Sequence, residues 1–185
     1  MIPFSKEFTT RCRKEDQKAQ KELFEKLYAP MYRVCLRYLG RQAEAEDCLM
    51  KAFMKAFQKL ENFDWQGEHS LFVWVRKIMV NECLMELRRN NLLMLVQTDN
   101  LPEEAEETNV IDQLSAEELF GLITKLPDGY RTVFNLYVIE GFSHQEIAKA
   151  LNISESTSKS QLLKGRGRLK LMVEKMNNVY ESYAG

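Results

Sequence analysis

FSHQEIAKALNISESTSKSQLLKGRGRLK, residues 142–170, is the stretch from which the fold can be read. Ser143 and Glu146 stand in capping-box spacing, which predicts a helix starting after Ser143. Ile147, Ala148 and Leu151 share its apolar face, and a side chain as small as Ala148 lets a second helix cross close by. Asn152 falls where the chain must turn, and Asn tolerates the positive φ such a turn needs. Ile153 plugs the core and Ser154 is the expected N-cap of the next helix, from about Glu155 onward. This spacing predicts a helix-turn-helix.

The composition of the second helix fits a duplex major groove, which receives the N-terminal residues of a recognition helix. Ser154, Glu155, Ser156, Thr157, Lys159, Ser160 and Gln161 are the candidate groove residues. Short side chains such as Ser156, Thr157, Ser158 and Ser160 allow close approach to base edges and phosphates. Lys159, Lys164, Arg166, Arg168 and Lys170 follow with no acid between them, and such a run neutralises phosphates and releases counterions. Gly165 and Gly167 each lower helix propensity by about 1 kcal/mol, so the basic tail is expected to order only on DNA.

Outward from that stretch, the net charge of −1 conceals a pattern. Residues 1–89 and 125–185 are each net basic, whereas residues 90–124 hold eight acids and no base. The 185 residues suffice for two small domains, and 8 Gly and 4 Pro argue against a low-complexity chain. Asp16 is the expected N-cap of a helix ending at Gly40, with a break or kink at Pro30. A second helix starts near Arg41. Residues 61–70 read as a loop, and a third helix ends near Arg88 and Arg89. Trp74 is expected in its core. Residues 91–114 read as an acidic linker, extended and with little to bury. Ser115 and Glu118 form another capping-box pair that opens the second domain. The expected fold is all-α: a three-helix domain over 1–90, the linker, and a helix-turn-helix domain over 115–185.

Cys12, Cys35, Cys48 and Cys83 form no CxxC pair and are expected as reduced core thiols. No signal peptide and no apolar run of about 18 residues appears, so a cytoplasmic chain with no membrane insertion is expected. No Gly-rich phosphate loop, metal cluster or nucleophile–base pair is evident, which gives an expectation of no enzyme, no cofactor and no metal. His69 and His144 are the two histidines, and His144, at a helix start, is expected to be exposed.

LRYLGRQAEAEDCLMKAFMKAF, FDWQGEHSLFVWVRKIMVNECLMELRR and LPDGYRTVFNLYVIEGFSHQEIAKALNISESTSKSQL together resemble one family over roughly residues 12–170. It is the sigma-seventy class of bacterial sigma factors, in the small extracytoplasmic-function group. The resemblance implies that the first segment docks on the polymerase clamp helices, the second melts and reads the minus-ten element, and the third binds the minus-thirty-five element. Core RNA polymerase, through its clamp helices and flap, and promoter DNA are the implied partners. An anti-sigma factor is common in the group. Asp47 matches the acidic docking residue, with Glu46, Leu49, Met50 and Phe53 beside it. Asn81 matches the Asn that helps hold a flipped base, and residues 61–70 are expected to complete the pocket. Asp64 belongs with that loop, and Trp65 is placed to stack on an unpaired base. Arg76, Lys77, Arg88 and Arg89 are candidates for backbone phosphates.

Four positions depart from the family pattern. Met50 and Lys51 stand where Gln and Glu are usual, Ser158 where a core Val or Ile is usual, and Gln161 where Arg is usual. A buried Ser158 needs a partner, such as a carbonyl one turn back. Two other readings share these features: a helix-turn-helix regulator that binds DNA without polymerase, and a sigma-like interaction protein without promoter activity.

Overall fold

A computed structural model describes residues 1–89 and 115–184, with side chains as far as Met176. Two compact units result, Met1–Glu86 and Leu87–Gly185. No strand occurs among the described residues. The linker expected over 91–114 lies outside them.

The first unit contains α1 (Lys6–Arg13), α2 (Gln17–Leu39), α3 (Gln42–Lys59), a 3₁₀ turn at Leu60–Asn62, and most of α4 (Ser70–Arg89). Asp16 caps α2, its Oδ1 accepting from the N–H of Lys18 at 2.9 Å and of Ala19 at 3.1 Å. Gly40 closes α2 at φ 73°, a left-handed conformation that suits glycine. Of the break or kink expected at Pro30, the break does not occur: α2 runs through the proline. Buried Leu23, Leu27, Met31 and Cys35 hold both sides of the proline against α3, and tertiary packing outweighs the one lost hydrogen bond.

Helix α1 is not foreshadowed by apolar period, since eight residues make barely two turns. Phe4 holds its start: the ring is buried and stacks on Phe8 at 5.4 Å, and its N–H donates to Glu68 O at 2.7 Å.

The second unit contains α5 (Ala116–Thr124), α6 (Asp128–Phe134), a π-helical turn at Asn135–Ile139, α7 (His144–Leu151) and α8 (Glu155–Ala184). Both expected capping boxes form, at Ser115–Glu118 and Ser143–Glu146. The buried guanidinium of Arg131 donates to Leu126 O at 2.7 Å and Thr124 O at 3.2 Å and pairs with Asp128, so the end of α5 is tied to α6. The π turn shifts the face of this segment: Val133, Phe134 and Leu136 are buried, whereas Tyr137 and Val138 are exposed.

Helix α8 runs unbroken through Gly165 and Gly167, so the basic tail is helical without DNA. Packing on α6 accounts for it. Gly165 is buried, and a methyl there would meet Tyr130 Cβ at 3.4 Å, so glycine lets the two backbones approach closely. Leu162, Leu169 and Val173 are buried on the same side of α8.

Candidate nucleic-acid interface

The helix-turn-helix takes the geometry its spacing predicts. Asn152 ends α7 at φ 55°, ψ 48°, in the left-handed region. Ser154 Oγ accepts the N–H of Thr157 at 3.0 Å and caps α8. Ser154 Oγ also lies 2.8 Å from Ser156 Oγ and 2.7 Å from Thr157 Oγ1, and Ser160 Oγ donates to Thr157 O at 3.0 Å. The hydroxyls are thus arrayed together at the start of one helix. Ser154, Glu155, Ser156, Lys159, Ser160 and Arg166 are exposed; Thr157, Lys164 and Arg168 are half-buried. Lys159 Nζ rests 3.0 Å from Glu155 Oε1, a surface pair that holds the lysine only weakly.

Gln161 is a correction. It is 2 % exposed and faces α6, its Oε1 3.2 Å from where a methyl on Gly129 would sit. Helical periodicity explains this: Ser158, Gln161, Leu162, Gly165 and Leu169 share the inward face of α8, so Gln161 does not present its amide to a groove. Ser158 is fully buried, as its departure from the family pattern suggested, but its partner is not a carbonyl one turn back. Its Oγ lies 2.9 Å from His144 Nδ1 on α7. His144 is accordingly half-buried instead of exposed, and its ring stacks on Tyr137 at a centroid distance of 4.4 Å. Burial first, and then the positive charge of Lys159, hold its pKa below the ordinary value of 6.5.

In the first unit, residues 62–70 and one face of α4 enclose an open groove of about 630 Å³. Phe63, Asp64, His69, Val73, Trp74 and Lys77 are among its walls. Trp74 is not core: it is half-exposed, with Phe63 packed against it at 5.1 Å. Phe63 is buried, so the aromatic surface open to this groove is that of Trp74, and Trp65 is committed elsewhere. The half-buried Trp65 donates its indole N–H to Phe4 O at 3.2 Å and ties the loop to the N-terminus. Periodicity cannot find Trp74, since it sits in an apolar run and only the approach of Phe63 turns that face into a wall. Asn81 is exposed one turn beyond Lys77, outside the groove lining, with Met85 and Arg88 farther along the same side of α4. Arg76 is half-buried and Arg89 exposed.

On α3, Glu46, Asp47, Met50 and Met54 form an exposed stripe, the two methionines 49 % and 61 % exposed. Leu49 and Phe53, expected beside Asp47 on that face, are corrections. They are 0 % and 2 % exposed, inside the α2–α3–α4 core, where Phe53 packs on Phe24 at 4.8 Å. Positions 49 and 53 are one turn apart on the side opposite the acids. Lys51 extends toward α4, its Nζ 3.8 Å from Glu86 Oε2, and Lys55 pairs with Glu82 at 2.6 Å. The charge that Lys51 brings is thus offset by α4.

Among the described residues, no helix is long and apolar enough to cross a membrane. The chain matches the sigma-70 region 2 family over residues 23–92 and the sigma-70 region 4 family over residues 116–169. It is 31% identical over 179 residues to the ECF RNA polymerase sigma factor SigW of Bacillus subtilis (strain 168), covering 85% of this chain and 90% of that protein. It is 27% identical over 155 residues to the ECF RNA polymerase sigma factor SigM of the same strain, covering 82% and 93%. A chain with these two regions in this order, matched along nearly the full length of such relatives, belongs to the extracytoplasmic-function group of sigma-70 RNA polymerase sigma factors.

Proposed function

We propose that this chain binds core RNA polymerase in the cytoplasm and directs it to promoters, acting through binding energy and not as an enzyme. Residues 1–90 dock on polymerase and capture the unpaired minus-ten strand, residues 91–114 connect, and residues 115–185 hold the minus-thirty-five duplex. On α3 the docking contacts are Glu46, Asp47, Met50 and Met54. The groove takes a base from the melted strand: Trp74 offers a stacking surface, Asp64 and Lys77 offer polar contacts, and Asn81, Arg76, Arg88 and Arg89 follow the backbone. On α8, Ser154, Glu155, Ser156, Thr157, Lys159 and Ser160 face bases and the nearest phosphates, and Lys164, Arg166 and Arg168 face the phosphates beyond. An anti-sigma protein is a further expected partner.

The observation that carries this reading is the first unit. A regulator that only binds duplex DNA needs the helix-turn-helix and has no use for an exposed acid–methionine stripe or for an aromatic groove. The test is co-elution with core RNA polymerase at moderate salt, followed by transcription from a cognate promoter. The wild type is expected to co-elute and Asp47→Arg to run alone. A wild type that runs alone, with no inhibitor bound, points to the DNA-binding regulator. Binding without transcription from any promoter points to an interaction protein.

A further inference from the structure

Three of the four cysteines meet in the core of the first unit, each from a different helix. Cys35 lies on α2, Cys48 on α3 and Cys83 on α4, and they are 0 %, 2 % and 0 % exposed. Their sulfurs all lie within 4.8 Å of one another, and Cys48 Sγ is 3.6 Å from Cys83 Sγ. None is in a disulfide. Thiols as small apolar filler have no reason to converge in this way. A metal–sulfur bond of about 2.3 Å sets sulfurs about 3.8 Å apart around a tetrahedral ion and about 4.0 Å apart around a trigonal one. The 3.6 Å pair and the 4.8 Å limit on the others bracket both values.

We infer that Cys35, Cys48 and Cys83 form a three-thiolate site for a soft metal ion, copper(I). The donor set selects the ion. Thiolate sulfur favours copper(I), zinc and iron–sulfur centres over hard cations. Structural zinc almost always takes four ligands, and among the described residues the cluster offers no fourth Cys, His, Asp or Glu. A sealed core offers no ready water to fill the vacant corner, whereas copper(I) is content with three sulfurs in a plane. A disulfide would use two of the sulfurs and leave the third unexplained; a bound ion uses all three.

Each sulfur–copper bond replaces a sulfur–hydrogen bond, so loading releases up to three protons and transfers no electrons. The ion would enter as the helices close during folding or in a local opening. Once bound it would pin α2, α3 and α4 to one another, and with them the acid–methionine stripe and the groove.

The test uses the reduced full-length chain without oxygen. Copper(I) is supplied as its acetonitrile complex and zinc(II) in a parallel sample, and each is then desalted against a weak chelator. One copper per chain is expected, with an X-ray absorption shell of three sulfurs at about 2.3 Å and a thermal midpoint raised by about 5 °C or more. The triple variant Cys35→Ala, Cys48→Ala, Cys83→Ala is expected to lose the copper and Cys12→Ala to keep it. Copper lost on desalting, copper kept equally by the triple variant, or zinc retained in its place would overturn the inference. If the triple variant does not fold, as circular dichroism would show, the absorption shell of the wild type decides alone: three sulfurs uphold the site, and two sulfurs or a nitrogen-rich shell overturn it.

Discussion

The two units build their nucleic-acid faces by opposite means. In the second, the candidate contacts come from consecutive residues at the start of α8, and the helix alone brings Ser154, Ser156, Lys159 and Ser160 together. In the first, the groove needs a loop, a 3₁₀ turn and α4 to converge, with Phe63 brought against Trp74 from eleven positions earlier. A local face is cheap to alter one contact at a time. A face made by tertiary packing shares its residues with the core, so substitutions there test folding and function together.

The largest effect expected on this contrast comes from Leu49→Ala. Leu49 is fully buried, and removing its side chain should cost about 2–5 kcal/mol, enough to loosen the first unit. Met50→Ala, one residue on but exposed, should leave urea stability within about 0.5 kcal/mol and weaken polymerase binding instead. If Leu49→Ala kept full stability and lost only polymerase, the packing described for α3 would be wrong. Next comes Trp74→Ala. Loss of one stacking surface should reduce promoter melting by roughly tenfold while upstream duplex binding is kept. Permanganate reactivity of unpaired thymines would read this. Melting unchanged in Trp74→Ala but lost in Trp65→Ala would return the stacking role to the loop.

What could be read from the sequence follows the same division. The caps at Asp16, Ser115 and Ser143, the turn at Asn152 and the start of α8 were all legible, because each is a relation between residues a few positions apart. The inward turn of Leu49, Phe53 and Gln161 was half legible: periodicity puts them opposite Asp47 and Lys159, but a family pattern gathered them with their chain neighbours. The Phe63–Trp74 wall, the His144–Ser158 contact and the meeting of Cys35, Cys48 and Cys83 were not legible. Each pairs residues on different helices or across a loop, and no local spacing encodes such an encounter. Gly165 reads as a weak point in a helix and proves to be the place where α6 and α8 touch.

A smaller effect belongs to the local face. Lys159 is exposed and its pair with Glu155 is a surface one, so its charge is available to a phosphate. Lys159→Ala should weaken binding several-fold on every duplex and flatten the salt dependence by about 0.9 in slope. Fluorescence anisotropy across a salt series would measure both. A loss confined to one base position would make Lys159 a reader of sequence instead.

The smallest effect tests whether the local face is wholly local. His144 on α7 bonds Ser158 on α8 and stacks on Tyr137, so it links the recognition helix to the rest of the unit. Burial and then Lys159, with Arg166 adding and Glu155 opposing, hold its folded pKa below 6.5. The unfolded chain therefore binds the proton more readily, and stability rises with pH across the window between the depressed folded value and 6.5. Above 6.5 the group contributes no slope. As pH falls below 6.5 stability is lost, and the loss is complete below the folded value. Glu118 and Glu146, whose pKa values are also lowered, act in a separate window that begins below their ordinary 4.5. The urea midpoint of the full chain should thus drop modestly from pH 7.5 to pH 5.5, and His144→Gln should flatten that drop. Bound DNA should flatten it too, because phosphates beside Lys159 and Arg166 offset the charges that oppose protonation. An equal drop in wild type and His144→Gln would assign the pH dependence elsewhere and leave the α8 face independent of α7.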